Sequence, residues 1–147
     1  FVELGLINPD HTELPKMELN NSGKFECQFT AVNIQTSSSV MMRGLEGSTL
    51  GIWAAHGEGK FYLPMEESNY QVPAKYHYDK YPANPNGSKY NAAMLCSNDG
   101  RHLVMMPHLE RSTFSWNWAH YPLEREDEFS PWIIAFENAL NWFSQDE

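Results

Sequence analysis

The clearest periodicity lies near the carboxyl end, where Trp132, Ile133, Phe136, Leu140 and Phe143 recur at steps of three and four. That is the repeat of one face of an α-helix, and Ser130 as cap with Pro131 at the first helical position predicts where it starts. A period of two marks KFECQFTAVNI, residues 24–34, in which Phe25, Cys27 and Phe29 alternate with Glu26 and Gln28. This predicts a half-buried strand with Cys27 turned toward a core. STLGIWAA predicts a second strand leading into His56-Gly57-Glu58-Gly59, KFYL a short third and AKYHYDKY a fourth. YNAAMLCS and HLVMM, joined by NDGR, read as a hairpin in which Asp99-Gly100 suits a tight primed turn. Between these, SSSVMMRGLEG predicts one helical turn ending at Gly44, and PANPNGS an ordered loop. At the amino end Phe1, Val2, Leu4 and Leu6 have the spacing of the last turns of a buried helix, with Gly5, Asn8 and Pro9 as its stop. The expectation is a chain that begins inside a larger domain.

No repeat, low-complexity tract or linker interrupts the pattern, so the 147 residues are read as one unit with a hydrophobic core, strands outnumbering helices. Nineteen acids against ten bases leave a net charge of -9, with no basic cluster. Such a field repels a phosphate backbone, so nucleic acid is not an expected partner. No apolar run approaches the roughly 18 residues that a bilayer-spanning helix needs, and a membrane is not an expected partner either. Cys27 and Cys96 are too few for a disulfide scaffold and lack metal-ligand spacing, which suggests reduced thiols and a cytoplasmic protein.

Three stretches carry candidate chemistry. In VMMPHLER, an apolar strand broken at Pro107 delivers His108 and Glu110 two residues apart. If the backbone stays extended, both side chains share one side, and the acid can fix the tautomer of a basic imidazole; a surface loop with a chance His-x-Glu fits the same spacing. Such a pair needs a nucleophile, yet both cysteines lie inside strand patterns without flanking glycines, and no G-x-S-x-G occurs. HGEG, residues 56–59, offers two glycines that let backbone approach a ligand, or a plain turn. NPNGS, residues 84–88, is either a polar loop or a site wall built from amides. Trp116, Trp118 and Tyr121 offer flat apolar area for a sugar or a partner chain, or pack onto their own domain. A metal site is not indicated.

Taken in order, AAHGEGKF, YPANPNGS, DGRHLVMMPHLER and SPWIIAFENAL resemble the carboxyl-terminal glutaminase domain of the large, single-chain phosphoribosylformylglycinamidine synthases, a branch of the class I glutamine amidotransferases. The resemblance implies an α/β fold, part of a flavodoxin-like sandwich around a mixed, strand-rich sheet. Residues 1–147 would be the carboxyl-terminal part of one glutaminase domain, lacking the cysteine elbow and the synthase domains. It further implies that His108 is the general base and later acid, that Glu110 orients it, and that the attacking cysteine precedes Phe1. His56 and Gly57 would lie beside bound glutamine, with Asn84 and Asn86 lining the same region. The implied partners are glutamine and the amino-terminal remainder of the same polypeptide. No cofactor is implied for this segment; ATP and Mg2+ would act in the synthase portion. One departure stands out: the family's His-Pro-Glu is here His108-Leu109-Glu110, which returns a backbone donor and frees φ.

Overall fold

In a computed structural model, residues 1–144 are described. Eight strands appear in chain order: β1 (Lys16–Glu18), β2 (Glu26–Ile34), β3 (Thr49–His56), β4 (Lys60–Tyr62), β5 (Ala74–Tyr76), β6 (Met94–Cys96), β7 (Leu103–Met105) and β8 (Pro107–His108). A single α-helix, α1 (Ile133–Phe143), closes the described chain. The central sheet has the order β5-β2-β3-β8, flanked by the pairs β1-β4 and β6-β7. Every ladder among the described residues is antiparallel.

The alternation in β2 is real, but its parity is opposite to the one expected. Glu26, Thr30, Val32 and Ile34 face inward, whereas Phe25 and Cys27 are exposed. The apolar identities of Val32 and Ile34, with Leu50 opposite Val32 and Ile52 opposite Thr30, set the buried face. A one-residue shift would expose all of them, at roughly 1.5–3 kcal/mol per side chain. Thr30 is tolerated inside because its hydroxyl donates to the Ala83 carbonyl at 2.8 Å. On the opposite face Phe29 packs edge-on to Trp53 and against Trp118, and it closes over Gly51, where a Cβ would stand 2.3 Å from its ring.

The main core lies between the inner face of β2-β3 and the start of α1, around Ile52, Tyr76, Met94, Trp132 and Ala135. A second core joins Val2 and Ile7 to Phe61, Leu63, Tyr70 and Leu95. α1 begins at Ile133, two residues past the expected start, and its N-cap Trp132 makes no side-chain cap bond; Ser130 Oγ instead accepts from the Trp132 N–H at 3.3 Å in the turn before the helix, and Trp132 Nε1 donates to the Gly51 carbonyl at 2.7 Å. The helix's apolar stripe, however, is covered only at this end: Phe136, Leu140 and Phe143 are exposed.

Two local expectations are corrected. The β6-β7 connection is not a two-residue primed turn; it closes through Ser97 N–H to the His102 carbonyl and Gly100 N–H to the Ser97 carbonyl. Only Gly100 takes a positive φ, 79°, whereas a type I′ turn needs two such residues. The stretch at Phe1–Leu6 is a single turn ending as helices end. Gly5 N–H bonds the Val2 carbonyl, Leu6 N–H bonds the Phe1 carbonyl, and Gly5 has φ 73°, the pattern of a Schellman cap.

Candidate active site

His108 closes β8, a two-residue strand registered against the outer edge of β3, with His108 opposite Trp53 and Pro107 opposite Ala54. The chain does not stay extended beyond it: Leu109–Arg111 forms a 3-10 turn. The turn nonetheless brings the pair together, with His108 Nδ1 2.7 Å from Glu110 Oε1. A carboxylate can only accept, so Nδ1 carries the hydrogen and Nε2 is left as the basic nitrogen. The imidazole is partly shielded, 27% exposed, whereas the carboxylate is 62% exposed.

Two residues outside the sequence-level candidates hold this turn. Leu109, the replacement for proline, is buried in the main core, so burial rather than a ring constrains the backbone between His108 and Glu110. Ser112 is fully buried; its hydroxyl donates to the His108 carbonyl at 3.0 Å and accepts from the Trp53 N–H at 3.2 Å.

The HGEG turn leaves β3 at His56, which is 7% exposed. Its ring lies flat against Gly59, where a Cβ would stand 2.3 Å from Nδ1; this close approach is why the position takes glycine. Asn20 ties the turn together: its Nδ2 donates to the Lys24 and His56 carbonyls, and its Oδ1 faces the Gly59 N–H and His56 Nδ1, both at 3.2 Å. Burial pushes the His56 pKa down, and nearby His108 works in the same direction against the acid Glu26. Gly57 is half-buried beside it, its carbonyl accepting from Asn20 N–H.

Asn84 lines a small cavity with Asp79 and Tyr81, and the amides of both Asn84 and Asn86 are hydrogen-bonded within the fold. Asn86 is fully buried, Nδ2 donating to the Gly59 carbonyl and Tyr76 hydroxyl, and Oδ1 accepting from Ser88 N–H and Oγ. Asn84 Nδ2 donates to the Ser88 carbonyl and Asn91 Oδ1, and its Oδ1 accepts from Gly87 N–H. Asn86 thus braces the HGEG turn from behind through Gly59, whereas Asn84 ties its own loop together at Gly87, Ser88 and Asn91.

A groove of about 550 Å3 joins the elements: Phe1–Leu4 form one wall, Glu58 and Phe61 another, and Val104–Met106, the strand running into His108, a third. The amino-terminal turn, the HGEG turn and the approach to His108 thus share one opening. Neither cysteine serves His108 directly. Cys96 is buried, and burial pushes its thiol pKa up, keeping it protonated. Cys27 faces solvent but sits two strands across and two residues along from His108, roughly 12 Å by strand spacing.

The aromatic segment divides. A 3-10 turn at Ser115–Asn117 breaks the extended spacing that would align both tryptophans. Trp118 turns inward, donating to the Ser112 carbonyl and packing on Phe29 and Tyr121. Trp116, 65% exposed, stacks on Phe114.

Asn20 and Ser112 were not legible beforehand, because their partners lie 36 and 59 residues away in sequence. Among the described residues no group of three or more His, Cys, Asp or Glu side chains is placed to hold a metal ion, and no helix is long and apolar enough to cross a membrane.

Comparison with known proteins gives the family. The chain is 45% identical over 146 residues to a probable phosphoribosylformylglycinamidine synthase, chloroplastic/mitochondrial, of Arabidopsis thaliana, covering 89% of this chain and 10% of the relative. It is 39% identical over 136 residues to the phosphoribosylformylglycinamidine synthase of Homo sapiens, covering 84% and 10%. The chain therefore spans about a tenth of the length of these curated relatives. Among solved structures, PurLQS from Thermotoga maritima superposes with a TM-score of 0.65 over 86% of this chain and 52% of that one; at 24% identity it shows the fold, which among the described residues is α/β with antiparallel sheets and one α-helix. The sequence model of the CobB/CobQ-like glutamine amidotransferase domain matches residues 1–143, and the chain belongs to that family.

Proposed function

We propose that this chain is the carboxyl-terminal part of a glutaminase domain that supplies ammonia to a phosphoribosylformylglycinamidine synthase. The observation that carries the reading is the 2.7 Å contact between His108 Nδ1 and Glu110 Oε1, in a chain of an amidotransferase family. His108 Nε2 takes the proton of a cysteine thiol supplied from outside these residues, and the thiolate attacks the side-chain carbonyl carbon of glutamine. Collapse of the tetrahedral adduct breaks the C–N bond, and the proton held on Nε2 passes to the departing nitrogen, giving ammonia and a thioester. Water, deprotonated by the same nitrogen, then attacks the thioester and releases glutamate and the thiol. Glu110 holds the tautomer and balances the imidazolium that forms in each half. Asn86 acts here as a brace for the turn beside the substrate, Asn84 holds the loop that carries Asn86, and Gly57 is part of the wall.

In the larger polypeptide the ammonia would meet formylglycinamide ribonucleotide, with ATP and magnesium acting there; no residue of this chain is assigned to either. The partner on this reading is the amino-terminal remainder of the same polypeptide. Two unpaired thiols fit a reducing compartment such as the cytosol, while the Arabidopsis relative carries an organellar name.

The test is a chimera in which this chain replaces the corresponding segment of the Arabidopsis relative, assayed for glutamate release. Turnover is expected, with His108→Ala lowering kcat by about 10²–10⁴, whereas the 147-residue chain alone should release none. Turnover by the lone chain that depends on Cys27, or a chimera indifferent to His108, would overturn the proposal.

A further inference from the structure

The segment STFSWNWAHYP, residues 112–122, has no part in the proposed chemistry, yet its first residue sits between the two strands that meet at His108. Trp53 on β3 and His108 on β8 are register partners. The Ser112 hydroxyl spans them, accepting from the Trp53 N–H at 3.2 Å and donating to the His108 carbonyl at 3.0 Å. Its backbone N–H donates to the Leu109 carbonyl at 2.9 Å and closes the 3-10 turn that brings Glu110 to the ring. The Ser112 carbonyl accepts twice more, from Trp118 Nε1 at 2.8 Å and from Ser130 Oγ at 2.6 Å. Every polar group of this fully buried serine is thereby paired.

Magnitudes decide where the alignment of His108 and Glu110 comes from. A 3-10 turn of three residues has poor hydrogen-bond geometry and little stability of its own. The Glu110 carboxylate is mostly exposed, and an ion pair open to water adds too little to hold a backbone in one conformation. The turn is therefore held from its buried side, by Leu109 in the core and by Ser112. Ser112 is fixed in its turn by the aromatic segment. Trp118 spends its one polar hydrogen on the Ser112 carbonyl and packs its ring on Phe29 and Tyr121, so that hydrogen is not available to a sugar. Trp53 Nε1 donates to the Asn117 carbonyl at 2.6 Å and ties the same segment to β3.

We propose that Ser112 is a positioning residue for the glutaminase reaction, keeping the His108 imidazole and the Glu110 carboxylate aligned, and that Trp118 acts through Ser112 to the same end. This deepens the glutaminase reading and rests on it. Neither residue is assigned a contact with glutamine or with the thiol. Their effect is carried by the approach of Nδ1 to Oε1, on which the tautomer of His108 and the balance of its charge depend. The tryptophan-rich segment is then scaffold for the acid–base pair and not a platform for a ligand.

Kinetics of the chimera and spectra of the chain test it. Ser112→Ala should lower kcat about tenfold or more while KM for glutamine stays within about twofold, because alignment in the transition state is lost and ground-state binding is not. Trp118→Phe keeps a ring and removes Nε1–H; it should lower kcat by a smaller factor, and it guards against an alanine variant that merely misfolds. The decisive comparison is with Glu110→Ala. If Ser112 works by presenting Glu110 to His108, adding Ser112→Ala to Glu110→Ala should lower kcat by at most about twofold more; losses that multiply, or a KM that rises as kcat falls, would overturn the proposal. Long-range 1H–15N correlation spectra of the 147-residue chain labelled at histidine need no turnover. At pH 8, above the ordinary histidine value of about 6.5, they should show His108 with hydrogen on Nδ1, and a mixture of tautomers in Ser112→Ala; the same tautomer in both would sink the positioning role whatever the kinetics. If His108→Ala abolishes turnover while neither Ser112→Ala nor Trp118→Phe changes kcat, this inference falls and the glutaminase reading stands. If His108→Ala has no effect, the glutaminase reading itself falls.

Discussion

His56 and His108 end two neighbouring strands of the same sheet, yet they are held in opposite ways. His56 is walled in: Asn20 brackets its ring and backbone, Gly59 lies against one face, and Asn86 braces Gly59 from behind. His108 is partly open to solvent, and its one side-chain partner, Glu110, is mostly exposed. A group that must gain and lose a proton gains nothing from a shell that excludes the charged form, and burial on the scale of His56 would suppress that form. A group that only orients or selects benefits from rigidity. On the proposed reading, the contrast suits the open histidine to proton transfer and the closed one to holding the HGEG turn in place.

If that contrast is right, stability should depend heavily on the His56 surround and hardly at all on the Glu110 pair. The largest effect is expected for Asn20→Leu, which strands the partners of four hydrogen bonds and should cost about 3 kcal/mol in urea unfolding of the chain; an unchanged midpoint would mean that Asn20 braces nothing. Gly59→Ala should cost about 1–3 kcal/mol, because the new Cβ drives the His56 ring from its place. Gly57→Ala is the control, since its Cβ would find Phe25 no nearer than 3.8 Å, and it should be close to neutral.

The next effect is a pH dependence. The folded-state pKa of His56 lies below its ordinary 6.5, so on acidification the unfolded chain binds a proton before the folded chain does. The contribution is fully present above the unfolded value and is lost as pH falls through the folded one. Unfolding measured from pH 7.5 downward should show stability declining below about 6.5, and His56→Leu should flatten that slope; equal slopes in both proteins would sink the idea. Smallest of all, Glu110→Gln should change stability by less than about 0.5 kcal/mol, as exposed ion pairs do, while kcat of the chimera drops because His108 loses its orienting acid. A stability loss as large as that of Asn20→Leu would erase the distinction between the two regions.

Much of this was readable from the chain. Strand periodicity located β2 and β3, the three-and-four spacing located α1 to within two residues of its start, and the four motifs carried the family and the His108–Glu110 pair. The misreadings have a common source. Phe25, Cys27 and Phe29 look like an inward face until Val32 and Ile34, further along the same strand, commit the opposite parity to the core. Trp116 and Trp118 look aligned until a 3-10 turn separates them. The amides of Asn84 and Asn86, whatever they face, take their hydrogen bonds from within the fold, at Ser88, Asn91, Gly59 and Tyr76.

By itself, then, the sequence determined which segments could be strand or helix and which side chains have the chemistry to act, because periodicity and motif spacing are local properties of the chain. Tertiary structure alone decided which face of β2 is buried, which nitrogen of His56 bears hydrogen, and which partners satisfy the amides of Asn84 and Asn86. Those outcomes depend on hydrogen-bond and packing partners tens of residues away, and a buried polar group takes its role from whatever satisfies it.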